Sequence, residues 1–212
     1  MIPNVSICVA DEKVIILDVV RDRYFGLPPT LPVDEFVRAI DEPDRYDTLA
    51  MAARLGRSLD FADISLCAAV EPVFCDIDDP TPNWYSIRHG LAIGWRAARF
   101  RRLLRRQGLR EALLALRRRA PAFERTSSLV NRGCGEIAAA VRIMGYVRSL
   151  HDQCLPIALG IADHMQRIGY RPNLVIGVTA KPFRAHCWVQ ADGMLVSDRK
   201  EAIRDYTPIL IL

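Results

Sequence analysis

The sequence predicts an α+β protein: a small strand-rich unit first, then helices followed by an antiparallel sheet. Three observations carry this. Residues 5 to 27 alternate apolar and polar positions between turn signals. Residues 84 to 119 are helical in pattern and rich in arginine. Residues 174 to 197 hold three short apolar runs that follow an amphipathic stretch at 154 to 168.

Val5 to Val9, Val14 to Leu17 and Arg23 to Leu27 read as three strands, joined by turns at Asp11-Glu12-Lys13 and Arg21-Asp22. Pro28-Pro29 and Pro32 close this meander, because proline cannot continue a central strand. Val33 to Ile40 reads as a helix with Asp34 and Glu35 in its first turn, where the helix dipole favours acids. Two further short helices are predicted at Asp47 to Leu55 and Ile64 to Val70. The acidic, proline-containing stretch Asp76 to Asn83 is the predicted boundary, which gives an N-terminal domain over 1–78 and a second over 84–212.

Trp84 to Arg119 follows as a helix with a weak point at Gly108, ended by Pro121. Ser127 or Ser128 caps the next helix, which runs to about Val147. In residues 154 to 168, Leu155, Ala158, Leu159 and Ala162 follow the i, i+3, i+4, i+7 rule, and Gly169 stops the helix. Leu174 to Val178, Ala185 to Val189 and Met194 to Ser197 read as strands.

Composition narrows the function classes. Half of the 212 residues are hydrophobic and a quarter charged, which is ordinary globular usage. No apolar run reaches the roughly 18 residues of a membrane span, and Met1-Ile2-Pro3-Asn4 does not open a secretory signal. The six cysteines are scattered with no CxxC pair, which argues against a zinc site or a disulfide scaffold and predicts a reducing, cytoplasmic setting. No phosphate-binding glycine loop is present, so no intrinsic cofactor is predicted. The net charge of +4 conceals a segment, 96 to 119, with ten arginines and a single acid, Glu111. A solvated helix face, a docking surface for a partner enzyme or acidic peptide, and nucleic-acid binding are its three readings. The last is disfavoured by the lack of a binding fold and of interleaved aromatics.

The candidate chemistry lies in the last sixty residues. Cys154 precedes Leu155-Pro156, and proline favours a helix start. Unpaired N–H groups and the dipole there favour negative charge on a sulfur. With Ala191-Asp192-Gly193 as a three-residue loop, Gln190 faces Met194 and His186 falls opposite Asp198, with side chains on one face. A two-residue Asp192-Gly193 turn instead pairs His186 with Arg199 and undoes this. In the first register, a nucleophile, a base and an orienting acid form the parts of a cysteine acyl-transfer site. Cys187 points to the opposite sheet face and reads as core. Cys134, between glycines, is a rival nucleophile with no histidine tied to it, and His164 reads as a mid-helix surface or satisfied residue.

Gln153-Cys154-Leu155-Pro156, Leu174 to Val178, Lys181 to Val189, Asp192-Gly193 and Asp198 together resemble the C-terminal core of the lasso peptide leader peptidases, over roughly residues 128 to 200. The resemblance implies a transglutaminase-like, papain-like α+β protease domain. In it Cys154 is the nucleophile, His186 the general base and acid, and Asp198 the orienting acid. Asp18 to Leu27 is similar, more loosely, to the third-strand region of leader-recognition domains, which are winged-helix-like with three strands and three helices. By that resemblance a precursor leader adds a strand beside Arg23, Tyr24, Phe25 and Leu27 and rests on the third helix at Ile64 and Leu66. The implied partners are the precursor peptide and an ATP-dependent macrolactam synthetase, through which an ATP dependence can enter. Two other functions stay open: a transglutaminase-like acyltransferase or amidase on another substrate, and a non-catalytic peptide-binding adaptor.

Overall fold

The computed structural model describes residues 2–28, 31–42, 64–67, 70, 73, 75–77, 82–118, 127–147 and 153–212. The first three strands are β1 (Val5–Ala10), β2 (Lys13–Asp18) and β3 (Arg23–Gly26), an antiparallel meander as the alternation predicts. Asp11 and Glu12 both have positive φ, 48° and 60°. This is the backbone of the tight hairpin turn that matches strand twist. Helix α1 (Val33–Asp41) begins after Pro32 with Asp34 and Glu35 in its first turn, and it buries Phe36 and Ala39.

Alternation gives this sheet two buried faces. Val5, Ile7, Val14 and Ile16 pack with Leu31, Phe36 and Ala39. Cys8, Ala10, Ile15 and Leu17 face the other way, into the main core with Leu174, Ile176, Ile209 and Leu210. The Ser6 hydroxyl also donates to the Ile209 carbonyl. The N-terminal sheet and the C-terminal half therefore share one hydrophobic core.

The helix expected over Ile64 to Val70 is not formed at its start. Ile64–Leu66 is instead strand β4, parallel to β1, and the sheet order is β3-β2-β1-β4. Apolar-polar-apolar spacing over three residues fits a strand as well as a helix, and the edge of β1 supplies the backbone partners of this strand. The Cys67 N–H continues the pairing onto the Ile7 carbonyl at 3.0 Å. The helix expected over 47–55 lies outside the described residues.

Cys75–Asp76 forms strand β5, which pairs in parallel with Met194–Leu195 of the second sheet. The Arg142 guanidinium donates to the Ile77 carbonyl at 2.8 Å. The start of the acidic stretch is thus tied to the C-terminal half.

Helix α2 (Trp84–Arg117) starts with a capping box: the Asn83 side chain accepts from the Ser86 N–H, and Ser86 answers the Asn83 backbone. It is broken at Gly108, whose φ of 82° and ψ of −178° are non-helical, at the weak point the sequence shows. Helix α3 (Ser127–Val147) and helix α4 (Cys154–Arg167) complete the helical layer. The crossing of α2 and α4 is very close. A Cβ on Gly160 stands 2.8 Å from the Ala97 nitrogen and 3.1 Å from the Ile93 carbonyl. Only glycine lets the two backbones approach this far.

The second sheet has the order β5-β8-β7-β6-β9, from β6 (Asn173–Ala180), β7 (Phe183–Ala191), β8 (Met194–Leu195) and β9 (Thr207–Ile211). A short helix, α5 (Lys200–Ile203), precedes β9. Strand β9 carries no clear sequence signal because Pro208 argues against a strand. Pro208 sits where the register slips between Ile176 and Gly177, at the sheet edge, where a missing N–H is tolerated. No helix among the described residues is long and apolar enough to cross a membrane.

Candidate active site

Cys154 is the first residue of α4. Pro156 is its third residue rather than its first. That costs nothing, because the first four N–H groups of a helix have no intrahelical partner. Gln153 makes no side-chain capping bond to this helix start.

The hairpin takes the two-residue turn. Asp192 and Gly193 have positive φ, 50° and 72°, and Ala191 pairs with Met194 and Gln190 with Leu195. By count alone this register moves Asp198 away from the face of His186. A bulge restores it: the N–H groups of Val196 and Ser197 both donate to the Val189 carbonyl, at 3.0 and 3.4 Å. Two residues against one reverse the alternation beyond that point. Asp198 Oδ1 then lies 2.9 Å from His186 Nε2.

An ionised carboxylate only accepts, so His186 Nε2 carries the proton in this bond. Nδ1 is then the ring nitrogen left for Cys154, which lines the same cavity. The bond to Asp198, then the bond to Cys154, raise the His186 pKa from 6.5 to about 9 against the lowering effect of burial. The shift favours the imidazolium form of the ring.

Ser197 is a part of the site that the sequence reading missed. The Val189 N–H donates to Ser197 Oγ at 2.9 Å, and Ser197 Oγ–H donates to Asp198 Oδ2 at 2.6 Å. Both carboxylate oxygens are thereby held. Its only sequence signal is a hydroxyl beside the predicted acid. Trp188 stacks on His186 at 6.4 Å between centroids, and Tyr206 lies at 5.4 Å. Gly177, opposite His186, makes room for the indole: a Cβ there is 2.5 Å from Trp188. Cys154, His186 and Asp198 line one cavity of about 570 Å³ with Arg184, Ser197 and Tyr206.

The rival cysteines are quenched by burial. Desolvation pushes the Cys134 thiol up to about 12, with Asp192 adding to it, and the Cys8 thiol also to about 12. Cys187 is buried and pushed well above the usual thiol range by desolvation, then by Cys154 and Asp198. It borders the same cavity as Cys154 yet belongs to the core. Among the described residues no group of three or more histidine, cysteine or acidic side chains is placed to hold a metal ion.

His164 is not at the surface, because α2 packs on α4 and places His89 against it. It is 6% exposed, and its Nε2 lies 2.7 Å from His89 Nδ1. Glu136 faces His89 at 3.7 Å, and Arg96 reaches the buried Asp163 at 3.1 Å. Burial, then His89 and Arg96, lower the His164 pKa from 6.5 to about 4. The unfolded chain binds this proton between pH 6.5 and 4 while the folded protein does not. Stability from His164 is complete above 6.5 and falls as the pH drops towards 4. His186 has the opposite sign: its contribution is full below 6.5 and is lost as pH rises through about 9. We expect the melting temperature to fall by several degrees from pH 7 to pH 4, and His164→Gln to flatten that slope. An unchanged slope in the variant contradicts the assignment.

The N-terminal candidates divide between two edges of the first sheet. Among the described residues β3 has no strand on its outer side. Tyr24, Phe25 and Leu27 line a groove of about 680 Å³ beside it, together with Ala180 and Phe183 from the tip of the β6–β7 hairpin. Arg23 is exposed at the start of β3. Ile64 and Leu66 do not face this groove. They lie in β4 at the opposite edge, Ile64 buried near Phe36 and Leu66 exposed, so their expected place beside a leader on β3 is not available.

No curated protein and no solved structure matches the chain at a significant level. A family profile described as the transglutaminase-like superfamily matches residues 91–211, more than half of the 212 residues and the whole of the Cys154, His186 and Asp198 site. On this match the chain belongs to the transglutaminase-like superfamily.

Proposed function

We propose that this protein is a cysteine peptidase that binds the leader of a lasso peptide precursor and cuts it from the core. The observation that carries the reading is the convergence of Cys154 at a helix start with the His186–Asp198 hydrogen bond in one cavity. The Cys154 sulfur, as thiolate, attacks the carbonyl carbon of the last leader residue. N–H groups at the start of α4 stabilise the oxyanion. The His186 imidazolium gives its proton to the departing amine as the C–N bond breaks, which leaves a thioester on Cys154. A water molecule, deprotonated by His186, attacks the thioester and releases the leader as an acid. Asp198, held by Ser197, keeps the ring in its productive tautomer throughout.

Leader recognition in this reading uses the open edge of β3. An added strand takes its backbone bonds from β3 and its side-chain selectivity from the Tyr24–Leu27 groove. Phe183 lines that groove and packs on Tyr24 at 5.4 Å, and it belongs to the strand that carries His186. Recognition and cleavage are thereby built on adjoining elements. The released core amine then goes to an ATP-dependent macrolactam synthetase. A thioester can also be passed to an amine, as an acyltransferase would do. Product masses separate these: leader acid plus core for the peptidase, and a leader carrying an added amine for the acyltransferase. A precursor peptide left intact by the wild-type chain and synthetase together contradicts both.

A further inference from the structure

The first half of α2 leaves a row of large apolar side chains in solvent. Trp84, Ile87, Leu91 and Trp95 are 68%, 46%, 73% and 64% exposed. Their spacing of three, four and four residues places them on one stripe. The buried face of this helix is already supplied by Ile93, Ala97 and Phe100, so packing alone does not require a second apolar row. Contiguous exposed apolar surface of this kind marks a binding surface.

The stripe borders a groove of about 550 Å³ between α2 and α3. Gly90, Gly94 and Ala98, one helical turn apart, line it from α2, and Ala140 and Met144 from α3. These small residues keep the groove open. A Cβ at Gly94 meets only Met144 Cε, at 3.9 Å, so a larger side chain there fills the groove without disturbing the backbone.

The groove adjoins the catalytic cavity. Ile157 lines both, and Gln153, directly before Cys154, lines the groove. Two contacts fix its direction. His164 meets His89, and Gly160 meets Ala97. Going back along α4 towards Cys154 therefore means going forward along α2 towards Arg101. Arg101 lines the groove at that end, and exposed Arg102, Arg105 and Arg106 follow. The end near Cys154 is cationic, and the far end is aromatic and aliphatic.

We propose that this groove is a substrate subsite: it takes an apolar side chain of the peptide substrate, with an acidic residue of the same peptide on Arg101, between that side chain and the bond at Cys154. This rests on the reading of the protein as a peptide-processing enzyme and adds to it the chemistry of the segment near the cut. Adjacency to the cavity of Cys154 across Ile157 and Gln153 selects the substrate as occupant over a separate protein.

The test uses the full chain carrying Cys154→Ala, so that binding is read without turnover, and a short fluorescein-labelled peptide of leucines and glutamates as the probe. Saturable binding is expected to weaken about tenfold or more with Gly94→Leu, a change that favours the helix. Arg101→Glu is expected to weaken binding of this probe but not of its glutamine counterpart. Equal affinity with and without Gly94→Leu overturns the proposal, as does absence of saturable binding by the parent. Concentration-dependent self-association that Gly94→Leu abolishes also overturns it, since the groove is then an interface between copies. The two readings fail separately. Groove-dependent binding without cleavage by the wild type removes the peptidase and keeps the subsite. Cleavage and binding both indifferent to Gly94→Leu do the reverse.

Discussion

Asp198→Ala is expected to lower kcat/KM by on the order of 10³-fold and to shift its pH profile. The carboxylate orients the ring of His186 and is the first cause of its raised pKa. Without it, His186 loses its partner at Nε2, and the ring turns freely away from Cys154. Its pKa falls from about 9 towards the ordinary 6.5. Activity that needs the imidazolium is then lost on the alkaline side at a lower pH than in the wild type. The measurement is kcat/KM against pH for both proteins on one peptide. A uniform loss with no movement of the alkaline limb contradicts the assigned role, because a merely structural residue lowers the amount of active protein without shifting that limb. Ser197→Ala follows the same direction with a smaller effect, since it removes one of the two bonds that hold the carboxylate.

The second large effect is on stability. Gly160→Val is expected to cost about 3 kcal/mol, at the upper end of overpacking penalties. For a chain of this size that lowers the melting temperature by about 6–12 °C. The added Cβ meets the Ala97 nitrogen at 2.8 Å, and backbone atoms have no rotamer by which to yield. α2 and α4 must separate, and α4 carries Cys154 at its start, so activity falls along with stability. Gly94→Leu on α2 is the control, because its Cβ meets only the flexible end of Met144, at 3.9 Å. Equal melting temperatures for wild type and Gly160→Val contradict the close crossing.

The candidate site was legible where chemistry and local geometry coincide. Cys154 sits at a helix start that Leu155-Pro156 advertises, and His186 and Asp198 lie on adjoining segments of one hairpin. The three-residue loop expected from the sequence pairs His186 with Asp198, and the structure keeps that pair through a different turn. Asp192-Gly193 forms a two-residue turn, and the bulge at Val196 and Ser197 returns Asp198 to the face of His186. A bulge leaves no mark in an alternation pattern when neighbouring positions are all buried, as Met194 to Val196 are.

What was not legible depends on partners distant in sequence. Ile64-Ser65-Leu66 becomes a strand because β1 offers an open edge, and nothing within three residues announces that edge. His164 is buried because His89, 75 positions away, meets it. The docking of the first sheet on the second rests on contacts such as Ser6 to Ile209, 203 positions apart. Periodicity identifies an apolar face but not what covers it. The exposed row on α2 shows the same limit. Ile87, Leu91 and Trp95 lie in a stretch that reads from sequence only as helix, and the position of α3 and α4 shows that they line a groove.

The central claim is that Cys154 is the nucleophile acting on a peptide held elsewhere on the chain. The most direct measurement pairs cleavage with affinity: wild type and Cys154→Ala, each incubated with a lasso precursor peptide and a macrolactam synthetase. Product masses and leader binding by anisotropy are read in parallel. The account predicts leader release by the wild type alone, with leader affinity the same in both proteins. Cleavage that persists in Cys154→Ala, or leader affinity that disappears with the thiol, contradicts it.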